Sequence, residues 1–169
     1  MEFDGRTLNA TISNFISSLP SWGWPIWVSG SEYKSRLASQ QNPEMIDGIA
    51  MIQTLLPGTP SIYYGEEIGM HNVNEREDSC QNITETFNCD AARTPMQWDD
   101  SPNAGFSTNS TWISVGDDYS KLNVKEQMAS KSSHFKVYQK LMSIREEKAL
   151  LHGETGFPLV DKDIFSFTR

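Results

Sequence analysis

The chain has 169 residues, 37% hydrophobic and 11% aromatic, which fits one ordinary domain with a packed core and argues against disorder. Its net charge of −8, with no run of like charge, disfavours nucleic acid and anionic membrane surfaces as partners. No apolar run is long enough to span a bilayer, and the N-terminus Met-Glu-Phe-Asp-Gly-Arg-Thr lacks the charged and apolar regions of a signal peptide.

Leu8, Ile12, Phe15, Ile16 and Leu19 recur at helical spacing, and Pro20 stops the run, so an amphipathic helix is predicted there. The Trp-rich turn Ser21-Trp-Gly-Trp-Pro25 leads into a short apolar run of strand type, Ile26 to Ser29, ended by Gly30. Asn42-Pro43-Glu44 opens a second helix with Pro in its first turn. Met45, Ile49, Ile52 and Leu56 line one side of it, and Pro57-Gly58 ends it. Ser61 to Tyr64 reads as a buried strand parallel to the first, closed by Gly65. Residues 71–120 show no sustained periodicity, and a loop of that length in a compact domain is usually functional. A third helix is predicted from Lys131 to Lys148, packed on the outer side of the two strands. Gly153 to Pro158 is a turn region, and Ile164 to Phe167 is an alternating strand with little sequence after it to pair with. Strand, helix and strand in that order make a βαβ unit with an extra helix in front, an α/β class.

Three Asn-x-Thr triplets mark glycosylation acceptors at Asn9, Asn82 and Asn109, a surface-loop pattern of secreted proteins. Cys80 and Cys89 bracket a polar segment with a spacing that fits no zinc or thioredoxin-like motif. A disulfide between them is expected if the protein is secreted, and two free thiols if it is not. A secreted lineage with no signal peptide in the chain leads to the expectation that Met1 is not the start of the ancestral protein.

The densest chemistry lies between Ala91 and Ser107, where Arg93, Gln97, Trp98, Asp99 and Asp100 share a loop fixed by Pro95. Arg offers a rigid fork of donors, Gln and Asp add directional hydrogen bonds, and Trp supplies a flat apolar face. Sugars present hydroxyls around an apolar ring face, so the mixture suits them; Trp beside Pro and Met also reads as a packed loop. The run Arg93-Thr-Pro-Met-Gln-Trp-Asp99 resembles a signature loop of the maltase and oligo-1,6-glucosidase branch of the α-amylase superfamily. Other segments resemble the same family in order. Ile26-Trp-Val-Ser-Gly30 followed by Ser35-Arg-Leu-Ala-Ser39 is similar to the seventh barrel strand and its loop. Leu56-Pro-Gly-Thr-Pro-Ser-Ile-Tyr-Tyr-Gly-Glu-Glu-Ile-Gly-Met70 is similar to the eighth strand, and Tyr138-Gln-Lys-Leu-Met-Ser-Ile-Arg145 to the eighth barrel helix. The resemblance implies a partial β/α (TIM-type) barrel over residues 1–150, carrying the long loop 71–120. It implies that residues 151–169 begin a C-terminal β domain.

The family's chemistry is retaining glycoside hydrolysis, with a nucleophile and an acid/base carboxylate about 5 Å apart. The resemblance places both after the fourth and fifth strands, at the C-terminal barrel face, and the similar segments here begin beyond those strands. A third family carboxylate, an Asp beside a His, follows the seventh strand in the run Trp-Val-x-Gly-Asn-His-Asp-x-Ser-Arg. Here the run is Trp27-Val-Ser-Gly-Ser-Glu32-Tyr33-Lys-Ser-Arg36, so Glu32 stands at the His position and Tyr33 at the Asp position. Glu32 is a carboxylate one place early, and one residue on a strand end reverses the side-chain direction. Arg93 keeps the place of the family's sugar-contacting Arg; the alternative is an ion pair with Asp90 or Asp99 that steadies the loop. Gln97, Trp98 and Asp99 are expected to support the loop. Glu66 and Glu67 are neighbours whose side chains diverge, so they make no catalytic dyad.

No cofactor and no metal site is expected. The reading is a truncated maltase-like α-glucosidase, inactive as an isolated chain, with weak α-glucoside binding at most. A non-catalytic glycan- or protein-binding scaffold built from the same barrel is the alternative, with a protein partner covering the open barrel edges. An active enzyme assembled from separate chains ranks last, since it needs two supplied carboxylates and tolerance of Tyr33.

Overall fold

The computed structural model describes residues 4–73 and 90–169. Cys80, Cys89 and Asn82 lie outside the described residues, so the expected disulfide and the middle acceptor have no structural counterpart here.

Helix α1, Gly5–Ser18, starts where the Asp4 carboxylate accepts from the Arg6 and Thr7 backbone N–H groups at 2.9 and 3.1 Å. It ends just before Pro20, as the pattern predicts. Strand β1 is Ile26–Val28, and helix α2, Leu37–Gln40, follows it. Helix α3, Pro43–Leu55, has Pro in its first turn, and the Asn42 side chain caps the Glu44 N–H at 3.3 Å. Strand β2 is Thr59–Ser61, and it pairs parallel to β1 with Ile26 opposite Thr59 and Val28 opposite Ser61. The predicted neighbours are therefore neighbours, but the second strand sits earlier than the expected 61–64. Thr59 N–H bonds the Pro25 carbonyl at 2.9 Å and sets the register. The ladder then stops because the Glu66 carboxylate takes the Tyr63 N–H at 3.0 Å and the Ser29 hydroxyl at 3.0 Å.

The predicted third helix, 131–148, appears as α5 (His134–Arg145); a short helix not predicted, α4 (Val124–Ala129), precedes it, and α6 (Lys148–His152) follows it. Polar caps start α4 and α5. Asn123 accepts from the Glu126 N–H at 2.8 Å, and Ser133 accepts from the Lys136 N–H at 3.3 Å. α5 packs on α3 and on the 3₁₀ turn Glu66–Ile68 more than on the strands themselves, a correction to the expected packing. Ala50, Tyr138 and Leu141 are buried at this seam, with Leu55, Ile62 and Val137 against them. Arg145 ties α5 to the end of α3 by donating to the Thr54 and Gly58 carbonyls.

Residues 90–120 hold only 3₁₀ turns, Asp90–Ala92 and Pro102–Gly105. At the C-terminus the expected strand 164–167 appears as isolated antiparallel bridges, Gly156 to Thr168 and Val160 to Phe165, so the segment pairs back on itself. It also reaches α1, where Gly5 N–H bonds the Lys162 carbonyl at 2.9 Å and Arg6 pairs with Asp161.

Trp27 faces the helices, with its ring 5.4 Å from that of Phe15 and its Nε1 donating to the Pro57 carbonyl at 2.8 Å. Ile26 and Val28 point the other way and are each 60% exposed. Parallel sheets are normally covered on both faces. This pair has helices on one face only, as one sector of a barrel would.

Candidate functional site

The segments leaving β1 and β2 and the loop 90–99 meet around Arg93. Two tyrosines just after β2 hold that loop. Tyr63 OH donates to the Ala92 carbonyl at 3.2 Å and Tyr64 OH to the Thr94 carbonyl at 2.6 Å, one on each side of Arg93. Burial and the adjacent Tyr64 push the Tyr63 phenol up to about 12, so it stays a donor at any physiological pH.

Beneath them lies Arg36, only 2% exposed. Its guanidinium is 5.1 Å and 4.6 Å from the centroids of the Tyr63 and Tyr64 rings, and Nη1 donates to the Tyr64 carbonyl at 2.6 Å. Burial pulls its pKa down from the ordinary guanidinium value. Asn72 locks the loop after β1 to this platform by accepting from the Arg36 N–H at 2.9 Å and donating to Ser35 Oγ at 2.6 Å.

Arg93 is held by the protein itself. Its Nε donates to the Glu32 carbonyl at 3.1 Å, its Nη1 lies 3.6 Å from Asp90 Oδ1, and its guanidinium is 5.8 Å from the centroid of the Tyr33 ring. The Arg93 side chain is 27% exposed, while Tyr33 is 54% exposed. Glu32, Tyr33 and Arg93, about sixty residues apart in sequence, thus form one constellation. Of the two proposed ion-pair partners, Asp90 is the one used. Asp99 instead accepts from the Ser101 N–H at 2.8 Å and from its hydroxyl, and those bonds hold its carboxyl below the usual range.

Gln97 is fully buried; its amide donates to Asp118 Oδ1 at 3.2 Å and to the Leu122 carbonyl. Asp118 also meets His71 Nδ1 at 3.2 Å, and that bond is the first cause of its lowered pKa. Trp98 is half exposed and holds the Ala104 carbonyl through its backbone N–H at 2.9 Å. These residues tie the loop to the segment before α4.

Glu66 and Glu67 diverge, with Glu67 capping the Gly65 N–H at 2.8 Å. Glu66 belongs to a polar network that sequence reasoning missed. Ser29 Oγ bonds both Glu66 and Gln53 at 3.0 Å, Gln53 Nε2 donates to the Trp27 carbonyl at 3.2 Å and the Ser61 carbonyl at 2.8 Å, and Tyr138 OH reaches Gln53 Oε1 at 3.4 Å. Burial raises the Glu66 pKa against these bonds. The network joins β1, β2, α3 and α5 behind the site. A cleft of about 440 Å³ lies between the start of α5 and α4, lined by Asp47, Lys121, Glu126, Gln127 and His134, and includes neither Arg93 nor Tyr33.

Residues 1–153 match the family model of the α-amylase catalytic domain. The chain belongs to that family. It is 34% identical over 171 residues to Maltase 1 of Drosophila virilis, covering 94% of this chain and 27% of that protein. It is 37% identical over 170 residues to the amino acid transporter heavy chain SLC3A1 of Rattus norvegicus, covering 98% of this chain and 24% of that protein. Among solved structures, the trehalulose synthase MutB of Pseudomonas mesoacidophila superposes with a TM-score of 0.79 at 27% identity, over 95% of this chain and 35% of that one. The chain spans about a quarter of the length of these curated relatives. The family match and this superposition make the fold a partial TIM-type barrel of an α-glucosidase-like glycoside hydrolase family. Among the described residues no helix is long and apolar enough to cross a membrane.

Proposed function

We propose that these residues form the distal sector of a maltase-like barrel whose sugar-facing site is catalytically silent. Residues 1–150 supply the barrel sector and residues 151–169 open a β domain, in a protein of secreted lineage. The observation that carries the reading is the Tyr33–Arg93 constellation. At the place where a family member presents an Asp to sugar hydroxyls, this chain presents a phenol and lacks the carboxylate that would stabilise an oxocarbenium-like transition state. The Arg expected to meet the sugar sits instead against the Glu32 carbonyl, Asp90 and the Tyr33 ring. An α-glucoside must displace those contacts to bind, so affinity is weak. Calorimetric titration of maltose into the intact protein tests this. No saturable isotherm is expected at sugar levels up to about 1 mM, a range in which working enzymes saturate. Saturable binding abolished by Arg93→Ala would contradict the reading.

A second reading, a non-catalytic protein-binding scaffold built from the same barrel, rests on likeness to a protein that is, by its name, the heavy chain of a transporter. A stable complex purified with the intact protein, with slowed hydrogen exchange on its surface, would mark it.

A further inference from the structure

Two of the three Asn-x-Thr triplets fall on described residues, and the fold treats them differently. Asn9 is half-buried inside α1, and its side-chain oxygen accepts from Ser13 Oγ at 3.4 Å. Thr11 Oγ1 is turned back to the Thr7 carbonyl at 2.9 Å. A helix advances about 100° per residue, so residues two apart project from nearly opposite sides. Once α1 has formed, the Asn9 amide and the Thr11 hydroxyl therefore point to opposite sides of it.

Asn109 has the opposite setting. It lies outside any helix or strand, and it and both its neighbours are exposed. Its backbone is fixed, because its N–H donates to Ser107 Oγ at 3.1 Å and its carbonyl accepts from Asn103 Nδ2 at 3.0 Å. Its side-chain amide makes no hydrogen bond among the described residues, so a substituent there breaks nothing. Thr111 Oγ1 makes one local bond, to the Ile113 carbonyl at 2.5 Å. Three residues away on either side stand Phe106 and Trp112, 52% and 72% exposed, apolar faces of the kind a sugar covers.

We propose that Asn109 carries an N-linked glycan and that Asn9 does not. In the transfer, the Asn109 amide nitrogen attacks the anomeric carbon of an oligosaccharide linked to a lipid diphosphate. The new C–N bond replaces the C–O bond, the lipid diphosphate leaves with that electron pair, and the amide proton passes to a base of the transferase.

The test uses the full chain expressed through a eukaryotic secretory route, with Asn9→Gln, Asn109→Gln and Thr111→Ala made separately. The expected result is an amidase-sensitive mobility shift that Asn109→Gln and Thr111→Ala each reduce by one glycan and Asn9→Gln leaves unchanged. Peptide mass mapping after amidase treatment in heavy-oxygen water should place the label at position 109. An unmodified position 109 in secreted material, or a glycan at position 9, overturns the proposal.

Discussion

Gln53 is the residue whose removal should cost the fold most for its size. It is 5% exposed, and its amide nitrogen donates to the Trp27 and Ser61 carbonyls while its oxygen accepts from Ser29 and Tyr138. Gln53→Ala withdraws the donors from one carbonyl on each strand. A buried group left without its partner costs about 1–3 kcal/mol, and the two losses share one cavity, so about 3 kcal/mol net is expected. For a chain of this length 1 kcal/mol moves the midpoint by roughly 2–4 °C, so Tm should fall by about 6–12 °C. Gln53→Glu is the sharper probe. The introduced carboxylate keeps the shape and still accepts from Ser29 and Tyr138, but at neutral pH it offers oxygen to two carbonyls and adds charge beside Glu66. Its destabilisation should match or exceed that of Gln53→Ala at pH 7 and shrink on acidification, when the protonated acid can donate again. Thermal unfolding followed by circular dichroism reads all of this. A Gln53→Ala protein within about 0.5 kcal/mol of wild type, the usual range for surface changes, would refute the claim that this side chain couples the strands.

Glu66 should give a signed pH effect. Burial raises its pKa in the folded state, so between the ordinary carboxylate value and that raised value the native chain binds more protons than the unfolded one, and stability falls as pH rises through the window. Glu66→Gln should remove that slope and gain on wild type as pH increases; parallel stability–pH curves for the two would count against it. Leu141 is 4% exposed in the seam between α5 and α3. Leu141→Ala should lose about 2–5 kcal/mol in denaturant unfolding, whereas the exposed Met142→Ala should lose far less, and equal losses would mean that the seam is not a core.

The sequence carried α1 and α3 because their signals are local, and the strand pairing because strand, helix and strand in short order make parallel neighbours. Pro20, Asn42-Pro43 and Pro57-Gly58 punctuate apolar stripes, and those elements fold where the punctuation says. It misplaced β2 because Ile62-Tyr63-Tyr64 has the strongest strand composition. The ladder is instead set by Thr59 against Pro25 and cut short by Glu66, a tertiary contact. It missed α4, whose six residues are too short for a periodic signal, and started α5 early because Ser133 is a single polar cap beside a helix-prone stretch. At the site, the Arg93–Asp90 pair was readable from its three-residue spacing. Matching family order put Arg93 and Tyr33 each at a site position, but their meeting was not legible, since nothing local links the two. The network of Ser29, Gln53, Glu66 and Tyr138 was invisible, because isolated polar residues at buried positions leave no periodic trace.

If, as proposed, a phenol at position 33 and an engaged Arg93 leave this barrel face unable to support glycoside hydrolysis, the intact protein splits no α-glucoside. Turnover of maltose and an aryl α-glucoside by the intact protein, beside Arg93→Ala and Glu32→Gln variants and a mock-purified control, tests it most directly. Rates for all three proteins indistinguishable from the control are predicted. Wild-type turnover above the control that disappears in Arg93→Ala or Glu32→Gln would contradict it and make this constellation part of a working active site.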